Sequence, residues 1–421
     1  MGPDDGGEVM EFLVREFGPD SRQADAGRNA WLYEQNPSLG EAGPGIWICR
    51  KSGAIVGYES EIPFELKVGG EQRRAAWAID LQVREEWRLA GIGPGLIASQ
   101  LRDRSIAGVL NLSEQGYAAY TRLGWTDLGV VPVYVRPLDA RRVLRAPRSP
   151  VPARLRRLAP IAGPVLQAAD AGLRLGLRMG LRARDARMVA VDRLDERVDE
   201  VWAAAASHYP VLARRGLVDL AWRIDARPDA DRLQRYLLLR GSRAIGYAVL
   251  RPAVSSGPPP DSGLGSGSVD GSGSAEGSLS PSADESGPAD SSGSGPADDS
   301  GSPSGSGPAE GFPAMVVVDY LAPPTWVAPL LLLAGWQARR QGAAALVVRA
   351  RNEPADRYLR AAGFVRRESV NDPPIRFMVN CADEPDVCAR VSDPDAWFVT
   401  SADCDLDHAV LAPEHAAPQI E

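Results

Sequence analysis

Three glycines stand within five positions of the segment 83–96, VREEWRLAGIGPGL. Gly91, Gly93 and Gly95 follow an apolar run that ends at Val83, and a helical pattern follows them. Glycine at this density lets the backbone turn tightly and approach a ligand closely. Successive N–H groups at a helix N-terminus bind phosphate groups, and Arg88 can add positive charge beside them. The segment therefore predicts a phosphate-binding turn between a strand and a helix.

Three phosphate-binding motifs compete for this turn. A P-loop ends in Gly-Lys-Ser/Thr, and a dinucleotide fingerprint has glycines at its first, third and sixth positions; the spacing here fits neither. Arg88-x-x-Gly91-x-Gly93 resembles the R/Q-x-x-G-x-G/A loop of the GNAT acyl-CoA transferases. Pro94 departs from an unbroken row of donors, but it suits a first helical position, where its missing N–H is not needed. A plain strand-to-helix turn stays open as the alternative.

The resemblance covers most of residues 1–137 and implies an acyl-CoA site, with acetyl-CoA or another acyl-CoA as co-substrate. In GNAT enzymes a tyrosine often stands four residues before a late Gly-aromatic pair, close to the coenzyme thiolate. Here that residue is Tyr120, in YTRLGW. A phenol with a pKa of about 10 suits protonation of a departing thiolate; packing of Tyr120 on the sheet is the alternative. The resemblance implies that the coenzyme-binding residues are Val83, Arg88, Ala90, Gly91, Ile92, Gly93, Gly95 and Asn111.

An acceptor amine must be deprotonated before it attacks a thioester, and family members often use a carboxylate or a relayed water. Asp80 lies in the apolar run WAIDLQV, where an acid is costly unless it is partnered or useful. We predict Asp80 as a catalytic base, and a purely structural role is equally open. Glu85 and Glu114 are weaker candidates for the same role.

The two halves of the chain repeat one pattern. AIVGY near residue 56 is answered by RAIGYAV near 246, and WAIDLQV is answered by MVVVDYL. Each half later has a helix that ends in Gly-aromatic, which indicates a duplicated α/β unit. The second copy has no R/Q-x-x-G-x-G loop, and Leu359 stands where Tyr120 stands in the first. We therefore expect the second copy to bind no coenzyme productively.

Composition sets the remaining boundaries. Segment 255–311 consists mostly of Gly, Ser, Pro and acidic residues, so we predict a flexible acidic insertion between strands of one domain. Residues 138–186 are rich in arginine; they are either a helical connector or a basic arm. The predicted domains are 1–137, an acyl-CoA-binding domain, and 187–380, a degenerate copy that contains the insertion. The tail, 381–421, has an apolar run at 396–400 that could dock as a strand.

Charge and cysteine content exclude several classes of protein. A net charge of −8 argues against a nucleic-acid partner. The four cysteines are irregularly spaced, which predicts neither a disulfide framework nor a metal site. The longest apolar segment, 326–336, is too short to span a membrane, and the start of the chain lacks the pattern of a signal peptide. We expect a soluble cytoplasmic protein; its oligomeric state is left open.

The resemblance and the repeat together predict an α/β (α+β) protein of two acyl-CoA N-acyltransferase-like domains. Each would be a mixed, mostly antiparallel sheet flanked by helices. The predicted function is transfer of an acyl group, most simply acetyl, from coenzyme A to an amine of a small molecule or glycan precursor. Two alternatives stay open. One is an enzyme resembling the aminoacyl-tRNA-dependent peptidyl transferases, and the other is a non-catalytic tandem-domain interaction protein.

Overall fold

A computed structural model describes residues 5–40, 43–139, 142–143, 159–253, 313–368 and 374–404. The predicted acidic insertion, 255–311, lies outside the described residues, as does most of the segment that joins the halves before residue 159. The helices are α1 (Gly6–Phe17), α2 (Ala26–Tyr33), α3 (Ile92–Asp103), α4 (Glu114–Arg122), α5 (Ala159–Ala183), α6 (Arg197–Ala205), α7 (Leu217–Leu220), α8 (Pro324–Arg340), α9 (Glu353–Ala361) and α10 (Pro385–Val391).

Fifteen strands form the sheet within the described residues. They are β1 (Ile46–Lys51), β2 (Ala54–Val68), β3 (Glu71–Val83), β4 (Ile106–Leu110), β5 (Thr126–Val130), β6 (Val133–Pro137), β7 (Ala186–Val191), β8 (Val211–Ala213), β9 (Gln234–Arg240), β10 (Arg243–Pro252), β11 (Ala314–Leu321), β12 (Ala345–Asn352), β13 (Val365–Arg367), β14 (Arg376–Cys381) and β15 (Trp397–Thr400).

The sheet is continuous across both halves of the chain. Its order is β5-β14-β4-β3-β2-β8-β15-β12-β11-β10-β9-β7, with β1 paired to β2, and β6 paired to both β12 and β13. Most pairs are antiparallel, and the exceptions are β3 with β4, β11 with β12, and β8 with β15. The mixed, mostly antiparallel architecture predicted from the sequence is confirmed.

The two halves exchange strands. β14 comes late in the chain, yet it lies between β4 and β5 of the first half and pairs antiparallel with both. In return, β6 leaves the first half and pairs with β12 and β13 of the second. A boundary drawn at residue 137 therefore divides the chain without dividing the sheet. The domain limits given above stay a prediction.

The cores of the two halves reflect this exchange. In the first half, Trp77 stacks on Phe64 with 5.1 Å between ring centroids and also contacts Phe377 of β14 and Trp397 of β15. The predicted apolar run at 396–400 thus supplies β15, which joins β8 to β12. Segments from the end of the chain complete the hydrophobic core built by its beginning.

One expectation about cysteine is wrong. The structure joins Cys381 and Cys388 in a disulfide, where the sequence predicted no such bond. Cys381 ends β14 and Cys388 lies in α10. The chain turns back between this strand and this helix, which brings the two Cα atoms to 5.3 Å from each other. That separation suits a disulfide, and seven residues of sequence spacing gave no sign of it. No helix in the described ranges is long and apolar enough to cross a membrane.

Candidate active site

The predicted phosphate-binding turn forms between β3 and α3. β3 ends at Val83, a 3-10 turn covers Glu85–Ala90, and Gly91 follows in the left-handed region with φ 73°. A non-glycine residue is strained there, so this glycine is required by the backbone. No side chain of the described residues caps the N-terminus of α3. The first N–H groups of an uncapped helix have no partner within the helix, which makes this end suitable for an anion.

The other glycines of the turn leave open space. A Cβ atom built on Gly95 would meet no atom of the described residues within 4 Å, and one on Gly93 would meet only a methyl group of Val83 at 3.8 Å. Neither has a positive φ. Packing among the described residues and backbone geometry therefore do not require glycine at 93 or 95. The open space there leaves room for a ligand to approach the backbone closely.

The residues around the turn divide into buried supports and an exposed rim. Val83 and Ile92 are buried and pack with Val56 and Leu96, which fixes α3 on the sheet. Arg88 folds back so that its Nε donates to the carbonyl of Val83 at 3.4 Å. Ala90, Gly91 and Gly95 are exposed.

β3 and β4 separate beside this turn. They pair in parallel from Ala76 to Ala78, opposite 107–109, and β3 then continues to Val83 with no described strand paired on that side. Asn111, predicted to bind coenzyme, follows β4 in the left-handed region with φ 61° and is exposed. The gap between these strands is where the GNAT resemblance places acyl-CoA.

Asp80 lies at an irregularity in β3. Tyr58 pairs with Gln82 and Ser60 pairs with Ile79, so β3 has one residue more than β2 in this interval. Asp80 adopts φ 56°, a conformation that aspartate tolerates better than most residues. A β-bulge of this kind turns a side chain away from its regular direction.

The Asp80 carboxylate is already engaged. Oδ2 accepts from Arg28 at 2.7 Å and Oδ1 accepts from Gln23 at 3.0 Å, and the Asp80 and Arg28 side chains are 3% and 1% exposed. These contacts supply the partner that an acid in an apolar strand needs. The catalytic role of Asp80 stays a prediction, and this geometry favours the structural alternative. Glu85 and Glu114 are exposed.

The second half repeats this arrangement. Asp319, which matches Asp80 in the duplicated pattern, binds the buried Arg215 at 3.2 Å and accepts from Tyr247 at 2.7 Å. Tyr247 matches Tyr58, the tyrosine beside Asp80. An Asp–Arg pair thus persists in the half that has no glycine turn. This recurrence indicates that the pair maintains the scaffold.

Tyr120 is buried on α4. The Ser113 hydroxyl caps this helix by accepting from the N–H of Gly116. Trp125 packs edge-on against the Tyr120 ring, with 4.7 Å between the ring centroids. The phenol donates to Oε1 of Glu59 at 3.1 Å. Burial is the main cause that raises the pKa of the Tyr120 phenol well above its usual value, followed by the interaction with the neighbouring Glu59. Tyr120 therefore carries its proton at neutral pH.

Glu59 is the site residue that sequence reasoning missed. It is fully buried on β2, and its Oε2 has no hydrogen-bond partner among the described residues. Burial raises the pKa of this carboxyl to about 8; the bond from Tyr120 lowers it and the charge of Glu61 raises it. The signal was present in GYESEIPF, where two acids alternate within an apolar strand and so point to one face.

The second half offers no equivalent of the glycine turn in its described part. α8 begins at Pro324, which has no N–H to donate, and Leu359 is buried where Tyr120 stands in the first half. A cavity of about 650 Å³ lies at the starts of α8 and α9. Its lining includes Glu353 and Asp356, and Asp356 is held by Arg360 and Arg366. Within the described residues, no group of three or more His, Cys, Asp or Glu could hold a metal ion.

Comparison with solved structures establishes the fold. A conserved protein of unknown function from Enterococcus faecalis V583, a probable N-acyltransferase, superposes with a TM-score of 0.51 at 11% identity, over 91% of this chain and 71% of that one. A GCN5-related N-acetyltransferase from Kribbella flavida gives 0.47 at 13% identity, over 92% and 72%. Saccharomyces cerevisiae N-myristoyltransferase with bound myristoyl-CoA gives 0.47 at 11%, over 90% and 80%.

The chain has the fold of the GNAT N-acyltransferases, as its glycine turn predicted. No family model and no curated protein matches the sequence. At these identities the likeness establishes the architecture alone, so the chemistry has to be argued from the residues of the site.

Proposed function

We propose that this protein is an acyl-CoA-dependent N-acyltransferase whose active site lies in the first half of the chain. The observation that carries the proposal is the uncapped, glycine-lined start of α3 at the end of β3. It lies beside the gap between β3 and β4, with the protonated Tyr120 on the same side of the sheet. This combination binds a pyrophosphate and supplies a proton donor, which are two separate requirements of acyl transfer from a coenzyme thioester.

The proposed roles follow from the placement of each residue. The N–H groups of Ile92 and Gly93 hold the pyrophosphate, and Arg88 adds positive charge at the rim. Tyr120 gives its proton to the leaving thiolate after an acceptor amine attacks the thioester carbonyl directly. Asp80 and Arg28 keep the bulge of β3 in shape and take no part in proton transfer. The acceptor is an amine of a small molecule or glycan precursor, and acetyl-CoA is the simplest donor.

Calorimetric titration with acetyl-CoA tests this proposal. The intact chain should show saturable binding at one site, and Gly91→Glu should abolish it because a carboxylate then occupies the anion site. Gly53→Glu is the matched control: Gly53 also has a positive φ, 81°, and a Cβ placed there would meet no described atom within 4 Å, but it lies in the β1–β2 turn. It incurs the same backbone strain and should bind normally.

If Gly91→Glu loses acetyl-CoA binding and Gly53→Glu keeps it, the result supports the coenzyme site and justifies a screen of amine acceptors. Absence of binding by the intact chain to acetyl-CoA and to longer acyl-CoAs overturns the acyltransferase proposal. The non-catalytic interaction protein would then become the leading hypothesis.

A further inference from the structure

The buried acid Glu59 has an environment that the mechanism above does not explain. Along β2, Gly57, Glu59 and Glu61 alternate toward α3: a Cβ on Gly57 would overlap Ile92, and Glu61 binds Gln100 of α3 and Arg104, the residue that follows this helix. Glu59 lies between them, fully buried, with Tyr120 on one oxygen. Its other oxygen, Oε2, has no partner among the described residues. A buried carboxylate in this state is costly, so the neutral acid is favoured.

The charges around Glu59 also favour the neutral acid. Tyr120 faces it from α4 and donates one hydrogen bond, while Glu61 faces it from its own strand and is negative. Arg104, which follows α3, is bound to Glu61. Asp80, on the adjacent strand, is bound to Arg28. Burial and Glu61 raise the pKa of Glu59 to about 8, so the carboxyl is mostly protonated at neutral pH.

Tyr120 needs a neighbouring group that can replace the proton it gives away. Its raised pKa makes the phenol a poor proton donor, because loss of the proton would leave a buried phenolate. A second proton that arrives at the phenol oxygen as the first one leaves removes this cost. Glu59 is the group at hydrogen-bonding distance, 3.1 Å.

We propose that Glu59 is the proton donor behind Tyr120 and works as a neutral acid, not as the base for the amine. This inference rests on the proposed acyltransferase function. As the amine nitrogen bonds to the acyl carbon, the C–S bond breaks and its electron pair goes to sulfur. The Tyr120 proton moves to sulfur, and the Glu59 proton, carried on Oε1 at 3.1 Å from the phenol oxygen, moves to that oxygen, so the hydrogen bond between the two side chains runs from Glu59 to Tyr120 in the reacting state. The nitrogen releases one proton to solvent and Glu59 regains one from solvent, so the protons balance.

The direction of the pH dependence follows. Below a pH of about 8, Glu59 carries its proton and the relay can operate. Above it, the ionised carboxylate accepts from Tyr120 and holds the proton that the thiolate needs. At saturating amine and acyl-CoA, kcat should therefore fall as pH rises through about 8. If Glu59 acted as a base instead, kcat would increase with pH as the carboxyl loses its proton.

Glu59→Gln tests the relay with little change of shape. The amide can still bond to Tyr120 but cannot pass on a proton. We expect kcat to fall about 10- to 100-fold and the decline above pH of about 8 to disappear, with acyl-CoA binding unchanged. Tyr120→Phe should lower kcat similarly. Tyr117→Phe, on the same helix but bonded to Asp127 at the surface, should behave as wild type. Wild-type kcat and an unchanged pH profile in Glu59→Gln would overturn the relay.

Infrared difference spectroscopy tests the protonation state without turnover. The spectrum of the wild type minus that of Glu59→Gln should show the C=O stretch of a protonated carboxylic acid at neutral pH, lost as pH rises through about 8. A carboxylate signal already at neutral pH contradicts the proposal. Because this measurement needs no coenzyme, it gives a result even if the acyltransferase proposal fails in calorimetry. Melting curves of both proteins confirm that the variant is folded.

Discussion

At the scale of single residues, three acids on neighbouring strands differ in the partners of their carboxyl groups. Asp80 is tied to Arg28 and Gln23, Glu61 is tied to Arg104 and Gln100, and Glu59 has only Tyr120 among the described residues. An acid with two good partners suits a structural role, whereas burial of an acid with an unpartnered oxygen favours its protonated form. The number of partners therefore separates a structural carboxylate from one available for chemistry.

The proposed structural role of Asp80 gives a stability prediction. Asp80→Asn keeps the shape and tolerates the positive φ, but it removes the carboxylate charge from the buried pair with Arg28, which should cost about 3–5 kcal/mol of unfolding free energy. Urea denaturation of the wild type and the variant measures this loss of unfolding free energy. Glu71→Ala is the control, because Glu71 pairs with Arg73 on the same strand while 66% exposed and should cost no more than about 1 kcal/mol. Equal, small losses in both variants would contradict the assignment.

At the scale of elements, the exchange of β6 and β14 decides what can fold alone. Without β14, strands β4 and β5 would face each other across an empty position, and Trp77 would lose its contact with Phe377. Neither half-sheet is complete from its own segment of chain. The duplicated units are therefore coupled by backbone hydrogen bonds as well as by side-chain packing.

Fragments test this coupling. Residues 1–143 expressed alone should not reach a native fold, as judged by near-ultraviolet circular dichroism and amide dispersion in NMR spectra. Coexpression with residues 144–421 should restore the fold, because the second fragment brings β14 and β15. A cooperative melting transition of the isolated 1–143 fragment would show that the exchanged strand is dispensable.

At the scale of the whole molecule, the described part of the chain forms one compact unit with a continuous sheet. β8 and β15 connect β2 to β12, so the sheet passes from one half to the other without a break. We therefore expect a change in the core of one half to alter the stability of the other.

Leu331→Ala tests this transmission. Leu331 is fully buried in the core of the second half, so its truncation should cost about 2–5 kcal/mol. Calorimetry should show a single transition in the wild type, shifted to lower temperature in the variant. Hydrogen exchange of β3 amides, in the first half, should speed up by the same free energy as that of β11 amides. Two separate transitions, or unchanged exchange in β3, would contradict one cooperative unit.

Local patterns made several features predictable. The hairpin around Lys51-Ser52-Gly53 and the strand before the glycine turn follow from turn residues and apolar alternation, which act over a few residues. The repeat of Asp80 in Asp319 and of Tyr58 in Tyr247 was visible in the same way, and so the duplicated α/β scaffold could be inferred. The turn at Gly91 was predictable, because the left-handed conformation of this glycine is a property of the local backbone.

Contacts between distant segments could not be read from the sequence. The strand exchange, the disulfide between Cys381 and Cys388, and the pairing of Asp80 with Arg28 join residues whose order in the chain says nothing about their distance. The pKa of Glu59 depends on the same information, since burial and contact with Tyr120 shift it. The sequence by itself determined the scaffold and the glycine turn, because these are local; the tertiary structure decided which acid has a raised pKa, because desolvation arises only when distant segments pack together.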